Sequence, residues 1–169
     1  MPASSAVKKG ATSVVYRNSA GSTPYATPTW TAITLVRDAS VSRPWDMSDA
    51  SVRGSRVKLY HPTQQDFAVS LTVRCDDLDT GYLALNGAAD EGTTIDMMIL
   101  DGPVATEGSR GIRAHFHVSD TGQDQSIGTA LYKTFELKPG FAVNDDAAIV
   151  YPKYAIAGAD SAVTFADPG

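Results

Sequence analysis

The sequence predicts a mainly β protein, an antiparallel β-sandwich or split barrel with one short flanking helix. Two observations carry this prediction. Apolar and polar residues alternate with period two along several segments, which is typical of strands with one buried and one wetter face. Only one segment has the spacing of an amphipathic helix, and strands and helices do not alternate regularly, which argues against a parallel α/β sheet.

Three segments show the alternation most clearly. In Asp66–Cys75 the apolar residues at odd positions point to one face, and the small or polar residues at even positions point to the other. Gly111–Asp120 and Thr129–Lys138 alternate in the same way. Further strands are predicted at Thr12–Tyr16, Trp30–Arg37, Arg56–Tyr60, Thr94–Leu100 and Ala147–Ile156.

The single helix is predicted at Asp79–Glu91. Its apolar face consists of Tyr82, Leu85 and Ala89. Asp77 or Asp79 is available as the N-cap, and Gly92 as the C-terminal stop.

The 169 residues are of the size of one domain, residues 1–169, with an N-terminal arm at residues 1–25 and a C-terminal extension at residues 141–169. Between two strong strands, the segment Asp38–Ser55 is longer than the usual connection of a few residues. We therefore predict a long loop at residues 38–55. A second loop, rich in turn residues, is predicted at Asp101–Arg110.

The predicted loop at residues 38–55 carries two large apolar residues, Trp45 and Met47, among charged ones. A monomer gains little by exposing such groups, whereas an interface uses aromatic anchors with a polar rim. We expect an inter-subunit contact made by Arg43, Trp45, Asp46, Met47, Asp49 and Arg53. The alternative is that Trp45 packs on the core of its own subunit.

The charge of the chain is unevenly distributed. The net charge is −5, which argues against a general nucleic-acid binder. Residues 1–75 hold nine Lys or Arg against four acids, and residues 76–107 hold eight acids and no Lys or Arg. The split is explained either by pairing within the chain or by unlike faces that meet between copies.

No assembled active site, metal site or cofactor site is predicted. His115 and His117 share one face of a predicted strand, but no further cluster of His, Cys or acids is spaced to complete a metal site. The single cysteine, Cys75, continues the inward register of its strand, which indicates a buried thiol. The N-terminus lacks the apolar region of a secretory signal, and no apolar run is long enough to span a membrane.

The order of several motifs resembles the major tail tube proteins of long-tailed, siphophage-type bacteriophages and prophages. W-T-A-I-T-L-V-R-D (30–38) is followed by D-M-S-D-A-S-V-R-G-S (46–55) and by C-D-D-L-D-T-G-Y-L-A-L (75–85). I-D-M-M-I-L-D-G (95–102), V-S-D (118–120) and L-K-P-G (137–140) continue the series. The resemblance covers about residues 30–140 and is carried by the shared order of the motifs.

This resemblance implies a structural virion protein, not an enzyme. It implies hexameric rings, stacked into a tube, in which sheets of neighbouring subunits join so that their edges are paired. The implied partners are other copies, the tape measure, tail tip and terminator proteins, and double-stranded DNA that passes through without specific binding. The implied location is the phage tail, assembled in the host cytoplasm.

Two other functions remain open from the sequence. The first is the inner tube of a contractile tail or of a related secretion machine, which shares the fold and would bind a sheath. The second is a β-sandwich module that binds carbohydrate, which requires an aromatic platform. Trp30, Trp45 and the seven tyrosines show no shared spacing that predicts such a platform.

Overall fold

Strands account for most of the chain in a computed structural model, which describes residues 13–20, 27–54, 56–124, 130–142, 149–158 and 162–166. One helix interrupts them. The elements are β1 (Val14–Asn18), β2 (Trp30–Ala32), β3 (Val36–Ser42), β4 (Trp45–Asp49), β5 (Tyr60–Gln65), β6 (Ala68–Arg74), α1 (Thr80–Glu91), β7 (Thr94–Leu100), β8 (Arg110–Asp124), β9 (Tyr132–Pro139), β10 (Lys153–Ala157) and β11 (Val163–Ala166).

Nine of the strands form one sheet. Seven of them follow the order β2-β1-β7-β8-β9-β6-β3, and the other two, β10 and β11, are joined to it because β10 pairs with β8. The described strand pairs are antiparallel. Side chains from both ends of this order meet in one apolar cluster, so the sheet curls over itself as in a sandwich or split barrel. This confirms the predicted fold class.

The core forms where the alternating strands turn their apolar faces inward. Leu71 of β6, Phe116 of β8 and Phe135 of β9 are fully buried in this cluster, together with Leu85 of α1. The inward set of β6, which is Val69, Leu71 and Val73, is the one that its period-two pattern predicts. A smaller cluster on the other face of β7 contains Met98 and is covered by β2 and β11.

Helix α1 lies on the strands β7 and β8 and is bounded as the sequence predicts. The Asp79 carboxylate accepts a hydrogen bond of 2.7 Å from the Tyr82 amide, which makes Asp79 the N-cap. Gly92 ends the helix with φ of 65°, a left-handed conformation that favours glycine. Among the described residues, no helix has the length and apolar character needed to cross a membrane.

Two predictions in this region are wrong. Residues 38–55 are not a loop, because β3 extends to Ser42 and β4 occupies Trp45–Asp49. The strand predicted at Arg56–Tyr60 begins only at Tyr60. The physical reason is that β4 and β5 pair with each other away from the core, so they lack the buried alternation by which a sheet strand is recognised.

The predicted terminal segments contain parts of the sheet. β1 lies within the N-terminal arm predicted at residues 1–25, and it pairs with β2 and β7 inside the sheet. β10 and β11 lie within the C-terminal extension predicted at residues 141–169, and β10 pairs with β8. The rest of the N-terminal arm, residues 1–12 and 21–25, lies outside the described residues, as do residues 143–148, 159–161 and 167–169 of the extension.

Candidate functional site

The most exposed apolar feature of the described chain is a two-stranded ribbon, β4 and β5 with the connection between them, which we call the arm (residues 45–65, of which Ser55 is not described). In an antiparallel pair, residues opposite each other share a face. Met47 lies opposite Pro62, and Asp49 lies opposite Tyr60. Trp45, Met47, Tyr60 and Pro62 therefore form one apolar face, which ends at Asp49.

The other face of the arm is polar. Ser48 lies opposite His61, and its hydroxyl donates to the His61 carbonyl at 3.3 Å. The Thr63 hydroxyl donates to the carbonyl of Asp46 at 3.0 Å. The arm is thus amphipathic, although the other described residues of its subunit cover neither of its faces.

Exposure decides between the two expectations for Trp45. The side chain of Trp45 is 45% exposed, that of Met47 is 58% and that of Tyr60 is 57%. Trp45 therefore does not pack into the core of its own subunit, and the alternative prediction is wrong. An apolar ribbon of this size left in solvent is typical of a contact surface.

The six predicted contact residues do not all meet. Trp45, Met47 and Asp49 share the apolar face, while Asp46 is on the polar strand edge and Arg53 lies in the turn at the tip. Arg43 stands at the base of the arm with its guanidinium 5.7 Å from the ring centroid of Tyr154, a contact within the subunit. Whether these residues contact a neighbour stays a prediction.

Sequence reasoning missed the second half of the apolar surface. Tyr60 and Pro62 come from β5, and the exposed residues Val52, Val57 and Leu59 surround the tip. The available signal was the alternation of large and polar residues in W-D-M-S-D, which is short and is interrupted by a bulge between Trp45 and Met47. A strand this short, with no buried face, is hard to distinguish from a loop.

A second surface is the outer face of the four strands β3, β6, β9 and the C-terminal half of β8, which we call the polar face. Its main members are Asp38, Ser40, Ser42, Ser70, Thr72, Arg74, Asp120, Thr134, Glu136 and Lys138. The Ser70 hydroxyl donates to the Glu136 carboxylate at 2.6 Å. Cations at this face are paired with acids: Arg37 with Asp38 at 3.4 Å, Arg74 with Asp76 at 3.5 Å and Lys138 with Asp66 at 3.8 Å.

These four strands have, on each side, an edge that no strand in the described part of the chain covers. Among the described strands, β3 pairs only with β6. At the opposite side, β7 pairs with β8 only as far as His117, so residues 118–124 have β9 on one side and no described strand on the other. Both edges are exposed along most of their length, and an exposed edge is a template for pairing with another chain.

A bulge between Val118 and Asp120 lies at the start of this second edge. Before the bulge Val118 faces the core opposite Leu137, and after it Asp120 lies opposite Glu136 on the polar face. The inward register of β8 is thus shifted by one residue. This is why the predicted strand ends near Asp120, whereas β8 continues to Asp124.

The sheet also contains a buried ion pair. The Arg113 guanidinium donates to both carboxylate oxygens of Asp96, at 3.1 and 2.7 Å, and lies between the rings of Trp30 and Phe165. Asn18 donates to the same carboxylate at 3.1 Å. Trp30 is thus part of the packing around Arg113, whereas Trp45 is on the arm, so the two tryptophans do not form one platform for carbohydrate.

The two strand histidines lie on the same face of β8, as their spacing predicts. His115 is opposite Asp96, and His117 is opposite Thr94. Burial lowers the pKa of His115, the Asp96 carboxylate opposes this effect, and Arg113 adds to it. In the described part of the chain, no three His, Cys, Asp or Glu side chains come together as a metal site.

The fold is that of phage tail tube proteins. The chain is similar to a subunit in the tail of an empty gene transfer agent particle with C6 symmetry (12% identity, 80% of this chain and 96% of that chain, TM-score 0.62). It is also similar to the SPP1 tail tube (11%, 92% and 82%, TM-score 0.68) and to a chain of the anti-feeding prophage baseplate (15%, 84% and 91%, TM-score 0.52).

These identities are low, so the likeness concerns the fold. The expected likeness to siphophage-type tail tubes is confirmed at that level. No protein-family model and no curated protein matches the chain.

Proposed function

We propose that the chain is the subunit of a phage-type tail tube, and that copies of it join into rings of six that stack into a hollow tube. The gene transfer agent tail with the same fold has C6 symmetry, which supports the number six. The observation that carries the proposal is the pair of edges that no described strand covers on either side of a four-stranded part of the sheet, β3 on one side and residues 118–124 on the other.

A sheet with one free edge at each side can join to copies of itself. When β3 of one subunit pairs with the free part of β8 of the next, the four-stranded units become one continuous sheet. Six such units close into a barrel that has no edge left, which removes the aggregation hazard of open strands. The polar faces of all copies then lie on the same side of the barrel wall.

We place the polar face toward the lumen, where DNA passes. Binding to DNA gains its strength from cations that neutralise phosphates. Hydroxyls make up much of the polar face, and its cations Arg37, Arg74 and Lys138 already have carboxylate partners. Such a wall offers little to hold a phosphate backbone, so DNA slides through without specific binding.

The arm supplies contacts beyond the sheet edges. The described part of its own subunit leaves its apolar face uncovered, and three of the expected contact residues, Trp45, Met47 and Asp49, lie on it. At the ends of the tube the subunits meet the other tail proteins, which are the tape measure, tip and terminator proteins. The tube subunit is a virion protein, and the tube is assembled in the host cytoplasm.

Self-association tests the proposal. Purified protein is followed by size-exclusion chromatography with light scattering over a wide concentration range, with and without a tail-tip complex as nucleus, and is imaged by electron microscopy. We expect rings or tubes with sixfold symmetry. A strict monomer under all these conditions contradicts the proposal.

The likeness to a chain of the anti-feeding prophage baseplate favours a second candidate, the inner tube of a contractile machine. The two functions differ in the outer surface, since an inner tube binds a sheath. Co-expression with a sheath protein encoded nearby, followed by electron microscopy of the assembled particles, distinguishes them. A tube surrounded by sheath indicates the contractile machine, and a bare tube indicates the non-contractile tail.

A further inference from the structure

An open groove lies at one end of the sandwich, between β3 and the strands β8 and β10. Its volume is about 810 Å³. The buried core residues Ile99 and Ile112 form its floor, and its walls include Val41 and Ile156, which are 40% and 39% exposed. A groove of this size is large enough for several side chains. It is an opening into the core that the described part of its own subunit leaves uncovered.

The arm has the apolar and charged groups that match this groove. Trp45 and Met47 are the side chains that its apolar face presents, and β4 and β5 pack mainly against each other. Its apolar face ends at Asp49, whose pKa is lowered by hydrogen bonds from Ser51, so the group is charged at neutral pH. The groove has the cations Arg43 and Arg110 and the acid Asp101 in its lining, so the lining carries a net positive charge. Charge and hydrophobicity therefore match between the two surfaces.

We propose that the arm of one copy docks with its apolar face in the groove of a second copy, and that Asp49 then faces Arg43 and Arg110. The proposal rests on the proposed tube function and assigns the partner of the arm. The groove lining reaches Arg43 at the base of the arm, but the groove and the apolar face of the arm are different surfaces of one subunit. The contact is therefore heterologous: each copy donates one arm and accepts another. Such a contact leaves one arm and one groove free at the ends of an open assembly, so further copies can be added.

Disulfide trapping tests the contact. In a Cys75→Ser background, one chain carries Met47→Cys and Ile156→Cys, and assembled protein is oxidised with oxidised glutathione. We expect a ladder of covalent oligomers on a non-reducing gel, because every copy is linked to two others. The matched control pairs Met47→Cys with Leu131→Cys, a site with 37% exposure, close to that of Ile156. The control is expected to give no ladder.

The result separates this inference from the proposed function. Tubes that form without a ladder overturn the docking and leave the tube function intact. Failure of the wild-type protein to assemble overturns both. A second variant pairs Ile156→Cys with Ala6→Cys, because Ser13, the first described residue, lines the groove. If this variant forms the disulfide instead, the N-terminal segment occupies the groove and our assignment is wrong.

Mixing two variants provides an independent test. Met47→Asp disables the arm and Ile156→Asp disables the groove, and we expect each variant to be folded and to form no tubes. In a mixture, intact arms of the second variant meet intact grooves of the first. Light scattering should then detect complexes that hold both variants in equal amounts. Tubes formed by either variant alone, or a mixture that behaves as the sum of its parts, contradict the docking.

Discussion

Arg113 is a residue whose burial differs from what its position in the sequence predicts. It occupies the outward position in an alternating strand, where a solvated cation is the simplest expectation. In the structure it is 1% exposed, because Asp96 and two aromatic rings enclose it. No period in the sequence could predict this, since Asp96 and Phe165 come from other elements and only the assembled sheet brings them together.

Removing the Asp96 carboxylate leaves the Arg113 charge buried without its counter-charge. We expect Asp96→Ala to lower the free energy of unfolding by about 3–5 kcal/mol. The matched control is Asp66→Ala, which removes the exposed pair with Lys138 and should cost at most about 1 kcal/mol. Urea denaturation of the monomer measures both values. If the two variants lose the same free energy of unfolding, burial of the Asp96–Arg113 pair does not contribute to the loss.

His115 should make stability depend on pH. Its pKa in the folded state is lowered from 6.5, mainly by burial, so the unfolded state takes up the proton first as the pH falls. The contribution of His115 is therefore complete above its unfolded pKa and is lost as the pH falls toward the lower folded pKa. Urea denaturation between about pH 5 and 8 should show a weaker loss on acidification for His115→Gln than for the wild type.

The control for this measurement is His61→Gln, which changes an exposed histidine of the arm. Its stability profile should follow that of the wild type. If His115→Gln loses as much stability on acidification as the wild type does, His115 is not the group responsible.

At the scale of elements, sequence reasoning succeeded where an element contacts the core. Helix α1 has the predicted N-cap and stop, and β7 has the predicted bounds, because caps and inward alternation are local signals. Residues 45–49 of the arm were predicted to lie in a loop that forms a contact surface, whereas they form the strand β4. Among the described strands, β4 and β5 pair only with each other. The local sequence pattern does not predict pairing between distant positions such as Met47 and Pro62.

Truncation of Trp45 tests the role of the arm. The side chain is nearly half exposed, so Trp45→Ala should leave the melting temperature of the monomer almost unchanged while tubes fail to form. The matched aromatic control is Phe135→Ala, which removes a fully buried ring and should cost about 3–5 kcal/mol. Thermal melts and electron microscopy together give the answer. A Trp45→Ala protein that assembles at the wild-type rate would exclude Trp45 from the contact.

At the scale of the whole molecule, the charge split proves to be partly internal. Asp96 pairs with Arg113, and Asp76 pairs with Arg74 of the basic half. The tip of the arm nevertheless exposes Arg53, Arg56 and Lys58, far along the sequence from the acids that flank α1. Pairing within the chain therefore accounts for some of the acids and leaves exposed charge for contacts between copies.

If unlike charges meet between copies, salt should slow assembly. Screening shortens the range of such attraction from about 10 Å at 0.1 M to about 3 Å at 1 M ionic strength. We expect the initial rate of light-scattering increase to fall as sodium chloride rises over this range. A variant with Arg53→Gln, Arg56→Gln and Lys58→Gln should assemble more slowly at low salt and respond less to added salt. A wild-type rate that is the same at all salt concentrations would exclude charge as the driver.

The long strand β8 has a mechanical consequence. Its first half pairs with β7 and β10, and its second half pairs with β9, so one covalent backbone runs through both layers of the sandwich. Packed layers that share no strand can slide past each other, because side-chain contacts are non-directional. Here any relative displacement of the layers must bend β8 or break its hydrogen-bonded ladder. A force on one layer is thus transmitted to the other along covalent bonds. The subunit is therefore a stiff component of any assembly that contains it.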